Sequence, residues 1–214
     1  GRFERSTALP DLDRPFKSAA FVDVEGDGWT DLLLFGQDGT VVGFDNDHGA
    51  FERASYGLGN LSYPLGAAAA DYDGDGDTDL FVYQSGSWRD HKPAGYFRMQ
   101  GTVTDDNGYP NYLYENVGGE YERVDAPAVS GAHWSLAASF TDLTGDGRPD
   151  VHVANDYYND TLLVNGPDGF ERRELGGATA RNGMASEVAD LTGDGSQDVF
   201  VTNIWFPDLR NNMS

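Results

Sequence analysis

Cysteine is absent from this 214-residue chain, so no disulfide can staple it and no thiolate is available as nucleophile or metal ligand. Positive charge is scarce. Fourteen Lys and Arg face 36 Asp and Glu, a formal net charge of −22, and a surface of that sign repels phosphate, which argues against a nucleic-acid partner. The longest apolar stretch falls far short of the roughly 20 residues needed to cross a bilayer, so membrane insertion is not expected. No secretory signal is visible, and because the first residue is Gly1 rather than Met, removal of one is the expectation.

What the chain has in quantity is Asp and Gly, and they are organised. One nine-residue loop recurs four times, as Asp23-Val-Glu-Gly-Asp-Gly-Trp-Thr-Asp31, Asp71-Tyr-Asp-Gly-Asp-Gly-Asp-Thr-Asp79, Asp142-Leu-Thr-Gly-Asp-Gly-Arg-Pro-Asp150 and Asp190-Leu-Thr-Gly-Asp-Gly-Ser-Gln-Asp198. Carboxylates packed at that density repel one another unless a cation sits among them. Ca²⁺ takes about six to eight oxygens, and a tightly coiled loop supplies them from positions 1, 3, 5 and 9 and from the position-7 carbonyl. The ligand sets expected on this spacing are Asp23, Glu25, Asp27 and Asp31 with the Trp29 carbonyl; Asp71, Asp73, Asp75 and Asp79 with that of Asp77; Asp142, Thr144, Asp146 and Asp150 with that of Arg148; and Asp190, Thr192, Asp194 and Asp198 with that of Ser196. Up to four Ca²⁺ per chain follow. The first two sets carry four carboxylates and the last two replace one with a neutral hydroxyl, so weaker binding is expected in loops 3 and 4.

An EF-hand does not fit. Its twelfth position needs a bidentate Glu, whereas here it holds Leu34, Val82, Val153 or Val201 inside short runs such as Leu80-Phe-Val-Tyr83 that read as strands. An aromatic-Glu-Arg triplet stands about twenty residues ahead of each loop: Phe3-Glu4-Arg5, Phe51-Glu52-Arg53, Tyr121-Glu122-Arg123 and Phe170-Glu171-Arg172. Between triplet and loop lies a run of small residues, as in Ala67–Ala70, and after the loop come two more strand segments, among them Tyr112–Glu115 and Thr161–Val164.

Each unit is therefore four strands, with the acidic loop joining the first to the second. Loops begin at 23, 71, 142 and 190. Spacings of 48, 71 and 48 residues match one propeller blade of four strands, the long middle step holding an insertion at about 85–111. The expected fold is all-β, a single β-propeller domain of four-stranded antiparallel blades spanning about 16–56, 64–125, 134–174 and 183–214 plus 1–8. Joined end to start, Leu209–Ser214 and Gly1–Arg5 align without gaps to Leu113–Arg123, which suggests that the N-terminal strand completes the last blade and closes the ring. A homodimer or larger assembly is expected if four blades do not close.

The Asp-x-Asp-Gly-Asp-Gly-x-x-Asp pattern with its flanking strands resembles the FG-GAP and VCBS repeats, whose members include the propeller of integrin α subunits. Asn182-Gly-Met-Ala, Asp190-Leu-Thr-Gly-Asp-Gly and Val201-Thr-Asn resemble the cartilage-acidic-protein-like branch. The resemblance implies an extracellular, secreted or cell-surface calcium-binding propeller used in adhesion and recognition. Sequons at Asn60, Asn159 and Asn212 agree with a glycoprotein.

In an up-and-down blade the acidic loops and the turns joining the third and fourth strands share one face. The other face then receives Trp134, Tyr157, Tyr158, Arg181, Asn182, Trp205 and Phe206, the aromatic and hydrogen-bonding groups that a glycan or protein ligand needs. Three functions fit: a non-catalytic recognition module, a carbohydrate-active lyase or hydrolase using carboxylates and His133, or a structural repeat of a surface layer or filament. No nucleophile elbow, metalloprotease helix or phosphate loop is present to favour the enzyme.

Overall fold

The computed structural model describes residues 7–10, 12–86, 108–174 and 183–203. Fourteen strands are found among them, and no helix. Blade 1 is β1 (Ser18–Val22), β2 (Asp31–Phe35), β3 (Val41–Asp47) and β4 (Ala50–Ala54). Blade 2 is β5 (Pro64–Ala70), β6 (Asp79–Gln84), β7 (Tyr112–Asn116) and β8 (Tyr121–Arg123). Blade 3 is β9 (Trp134–Thr141), β10 (Asp150–Asp156), β11 (Thr161–Gly166) and β12 (Gly169–Glu174), and blade 4 shows β13 (Gly183–Ala189) and β14 (Asp198–Asn203).

Every pairing is antiparallel between sequence neighbours, which gives three four-stranded sheets and one two-stranded sheet. The architecture is thus all-β and built of propeller blades. The expected closing segments, 1–6 and 204–214, and the centre of the insertion lie outside the described residues.

The blades stack face to face, and this explains why the second strands do not alternate apolar and polar. Leu33 and Phe35 of β2 pack toward blade 2 against Leu80 and Val82, while Leu32 and Leu34 on the opposite side of β2 lie with Phe44 under Leu9 and Phe16. In β6, Leu80 and Val82 face blade 1 and Phe81 faces blade 3, where it joins Val151, Val153 and Leu163. A strand buried on both faces must be apolar at successive positions. Innermost strands β1, β5, β9 and β13 neighbour one another in that order, and their alanines and serines permit the close approach.

At the end of each blade away from the acidic loops, the inner strands β5, β9 and β13 carry a register irregularity, opposite Gln84, Asn155 and Asn203 or beside them. Gln84 Oε1 accepts the backbone N–H groups of Ser62 and Tyr63, and Ser135 Oγ bridges Asn111 and Asn155 at 2.9 Å each. These buried amides take up backbone groups that a bulge would otherwise leave unpaired.

Candidate metal centre

Each acidic loop is coiled by its own aspartates. The position-1 carboxylate accepts the N–H of positions 5 and 6: for Asp23, from Asp27 at 3.1 Å and Gly28 at 2.8 Å, and likewise for Asp71, Asp142 and Asp190. Position 5 accepts the N–H of position 7, as Asp75 does from Asp77 at 2.9 Å. Glycines 4 and 6 of every loop have positive φ, from 70° at Gly26 to 101° at Gly76, which side chains with a Cβ rarely adopt.

Position 9 is the hub. Asp31, Asp79 and Asp150 are fully buried at the start of β2, β6 and β10. Each receives two kinds of backbone donor. One is the position-2 N–H of its own loop, at 2.8, 3.0 and 3.0 Å from Val24, Tyr72 and Leu143. The other comes from the third strand of the blade, from Asn46, Asn116 and Asn165 at 2.9, 2.8 and 2.8 Å. Those asparagines escaped the reading of the sequence, although the signal is there: each precedes by three or four residues the glycine of the following turn, Gly49, Gly119 or Gly169. Their side chains reach further. Asn116 Nδ2 donates to the Val24 carbonyl of blade 1 at 2.8 Å, and Asn165 Nδ2 to the Tyr72 carbonyl of blade 2 at 2.6 Å. One blade's third strand therefore latches the preceding blade's acidic loop.

Two clusters of three carboxylates result, the oxygens of each lying within 4.8 Å of one another: Glu25 with Asp31 and Asp45, and Asp71 with Asp73 and Asp79. Asp45, on β3, was not among the expected ligands. Its carboxylate comes from outside the loop motif. Asp23 and Asp27 stand outside the first cluster, and Asp75 outside the second; Asp23, Asp27 and Asp75 instead accept backbone N–H groups of their own loops. In loops 3 and 4, where Thr144 and Thr192 stand at position 3, no such triple occurs among the described residues.

Loop 3 carries a cation of its own. Arg148 pairs with Asp146 and donates through Nε to the Asn165 carbonyl at 2.7 Å. Trp29, the equivalent residue in loop 1, packs against His48 with ring centroids 4.6 Å apart.

Crowding raises the acids. Partial burial and then Asp31 push Glu25 up to about 7, burial pushes Asp79 up to about 6, and burial followed by Asp31 raises Asp45. Asp142 and Asp190, wrapped by the N–H groups of Gly147 and Gly195, are lowered instead. A clustered set of hard carboxylate oxygens that resist ionisation together fits a hard divalent cation, which relieves their mutual repulsion.

The opposite face is less open than expected. Trp134 is only 2 % exposed, its ring filling the space over Gly86 and meeting Tyr157 edge to face at 5.7 Å. It packs, and does not present a bare ring. Tyr157, at a φ of 61°, and Tyr158 are half-buried, and Tyr158 stacks on His133 at 3.9 Å, with Arg172 Nη1 against His133 Nε2 at 2.8 Å. Arg181, Asn182, Trp205 and Phe206 lie outside the described residues.

The FG-GAP-like repeat family matches residues 1–82 and 142–201, most of the chain and all four acidic loops. The chain belongs to the FG-GAP-like repeat family. The stretch between the two matches holds the insertion, the third and fourth strands of blade 2 and the first strand of blade 3. No curated protein matches the chain.

Proposed function

We propose that this chain is an extracellular, calcium-stabilised recognition or adhesion module, with Ca²⁺ bound on the acidic-loop face and a glycan or protein bound on the face opposite. The observation that carries the reading is the convergence of three carboxylates at each of loops 1 and 2, with no Lys or Arg paired to any of them among the described residues. FG-GAP-like repeat membership supports the setting and the role. Among the described residues no helix is long and apolar enough to cross a membrane.

In this reading Glu25, Asp31 and Asp45 hold one ion and Asp71, Asp73 and Asp79 a second, with Asp23, Asp27 and Asp75 and the carbonyls of Trp29 and Asp77 completing the oxygen shells. Loops 3 and 4 bind last, through Asp142, Thr144, Asp146 and Asp150 and through Asp190, Thr192, Asp194 and Asp198. Bound Ca²⁺ cancels repulsion among acids that the fold has brought together, so it stabilises only the folded chain. Tyr157, Tyr158, Arg181, Asn182, Trp205 and Phe206 form the ligand face, with Trp134 supporting Tyr157 from beneath.

Calcium titration by calorimetry, with melting followed in calcium and in chelator, tests the metal. Two tight and two weak sites are expected, with a lower melting temperature in chelator; a melting temperature indifferent to chelator overturns the assignment. Asp73→Asn should abolish one tight site, and Asp194→Asn should leave both.

A further inference from the structure

Tyr56 stands apart from the other tyrosines in the core that blades 1 and 2 share. It is 4 % exposed, yet its hydroxyl finds no hydrogen-bond partner. Tyr114 and Tyr121 of the same core donate theirs to the carbonyls of Gly59 at 3.0 Å and Thr78 at 3.1 Å. A phenol sealed from water without a partner destabilises the chain unless something polar meets it.

The backbone explains where that hydroxyl is aimed. Gly43 on β3 has no side chain, and a Cβ there would stand 2.7 Å from Tyr56 Cδ2, so the ring lies against the strand at this position. Asp45 follows two residues later and so lies on the same side of β3. Burial first, and then the charges of Asp31, Glu25 and Asp45, push the hydroxyl upward, and Glu25 lies beside it but not in hydrogen-bonding geometry. These are the three carboxylates that converge at loop 1. The cluster thus has a buried, unpartnered oxygen aimed into it.

Blade 2 is built differently. Counting from the loop, from the third-strand asparagine and from the triplet, Asp73, Glu115 and Ala126 hold the places of Glu25, Asp45 and Tyr56. Glu25, one methylene longer than Asp73, joins Asp45 of β3, where Asp73 joins Asp71 of its own loop. We propose that Tyr56 Oη is a ligand of the loop 1 cation, a neutral oxygen added to those of Glu25, Asp31 and Asp45. Resting on the calcium reading above, this gives the ion a task between blades. The Tyr56 carbonyl accepts the Tyr121 N–H at 2.9 Å, and Glu25 Cγ stands 3.4 Å from where a Cβ of Gly119 would be. An ion held by Glu25 and Tyr56 therefore braces blade 1 against the β7–β8 side of blade 2, while the loop 2 ion is held within its loop.

Tyr56→Phe keeps the ring and removes only the oxygen, and Asp73→Asn leaves loop 1 as the one tight site. In that background Tyr56→Phe should lower calcium affinity at loop 1 by about tenfold or more in calorimetry. In chelator its melting temperature should be unchanged or higher, because a sealed hydroxyl without a partner has been removed. Terbium, a luminescent stand-in for calcium, gives a second readout. Added at less than one equivalent, its decay in H2O and in D2O counts the waters on the ion, and Tyr56→Phe should admit one more. An unchanged affinity, an unchanged water count, or a chelated variant that melts below its parent overturns the inference, the last by making the hydroxyl a support of the fold alone. If the Asp73→Asn parent itself binds no calcium at loop 1, the calcium reading falls together with the role of Tyr56.

Discussion

Asp79 shows what a single residue carries in this molecule. Its spacing within the loop marked it as a ligand, and the structure gives it a further task, joining loop to third strand through N–H groups of Tyr72 and Asn116. Burial pushes it up to about 6 from 3.8, and Asp156 and Asp160 are raised to about 6 for the same reason. An acid raised in the folded state contributes stability that is fully present below its ordinary value and is lost as pH rises through about 6. His152, pushed down to about 4 from 6.5 by burial, acts in the opposite sense over an overlapping window, but it is one group against three. The melting temperature of the chelated chain should therefore fall between pH 5 and pH 7. Saturating calcium, which holds Asp79 ionised, should raise it more at pH 7 than at pH 5; thermal scans at both values check the pair. Asn116 makes a second case. Its amide bridges the Val24 and Thr78 carbonyls, so Asn116→Ala should cost about 1–3 kcal/mol by denaturant unfolding, because the buried Val24 carbonyl loses its partner. The candidate aspartates of the loops stood out in the sequence because their spacing of two to four residues is local. The asparagine was not, because its partner lies 92 residues away in another blade.

At the scale of the element, the strands were readable from two local signals: the loop that precedes each second strand and the triplet that marks each fourth. β7 and β11 begin at Tyr112 and Thr161, where the expected third strands begin. Their apolar runs show that both faces are covered but not by what, and for the same reason Trp134, an aromatic at the start of β9, looked available while its ring fills the space above Gly86. Loop identity was only half visible. Charge count ranked loops 1 and 2 above 3 and 4, and Asp45 and Arg148 sharpen the ranking from outside the ligand positions. Arg148 holds an internal cation against Asp146, where Trp29 in loop 1 packs against a histidine. Removing that charge should free the loop: Arg148→Ala is expected to tighten the weak loop 3 site in a calorimetric titration and to leave the two tight ones unchanged. A loosened third site would show that the guanidinium orders the loop more than it competes for it.

Across the whole molecule, the stack is asymmetric in how its blades are covered. Blade 2 is packed on both sides, by Leu33 and Phe35 from blade 1 and by Val151, Val153 and Phe140 from blade 3. Among the described residues, blade 4 has its neighbour on the side of Ser186, which holds His152 Nδ1 at 2.8 Å and accepts Ser139 Oγ through its carbonyl at 3.2 Å, and Phe200 on its other side is exposed. That junction is polar and partly unsatisfied, since His152 Nε2 and Asp160 Oδ2, 3.8 Å apart and fully buried, find no hydrogen-bond partner. Apolar burial supplies most of the adhesion between blades, so the local opening free energy should be greatest in blade 2 and least in blade 4. Hydrogen exchange followed by mass spectrometry on the dilute chain should find the β6 amides slowest and the β14 amides fastest, with β2 between them. Calcium should slow β2 and β6 more than β14, because the clustered carboxylates sit at the starts of those two strands. Uniform protection across β2, β6 and β14 would mean that the blades open as one unit.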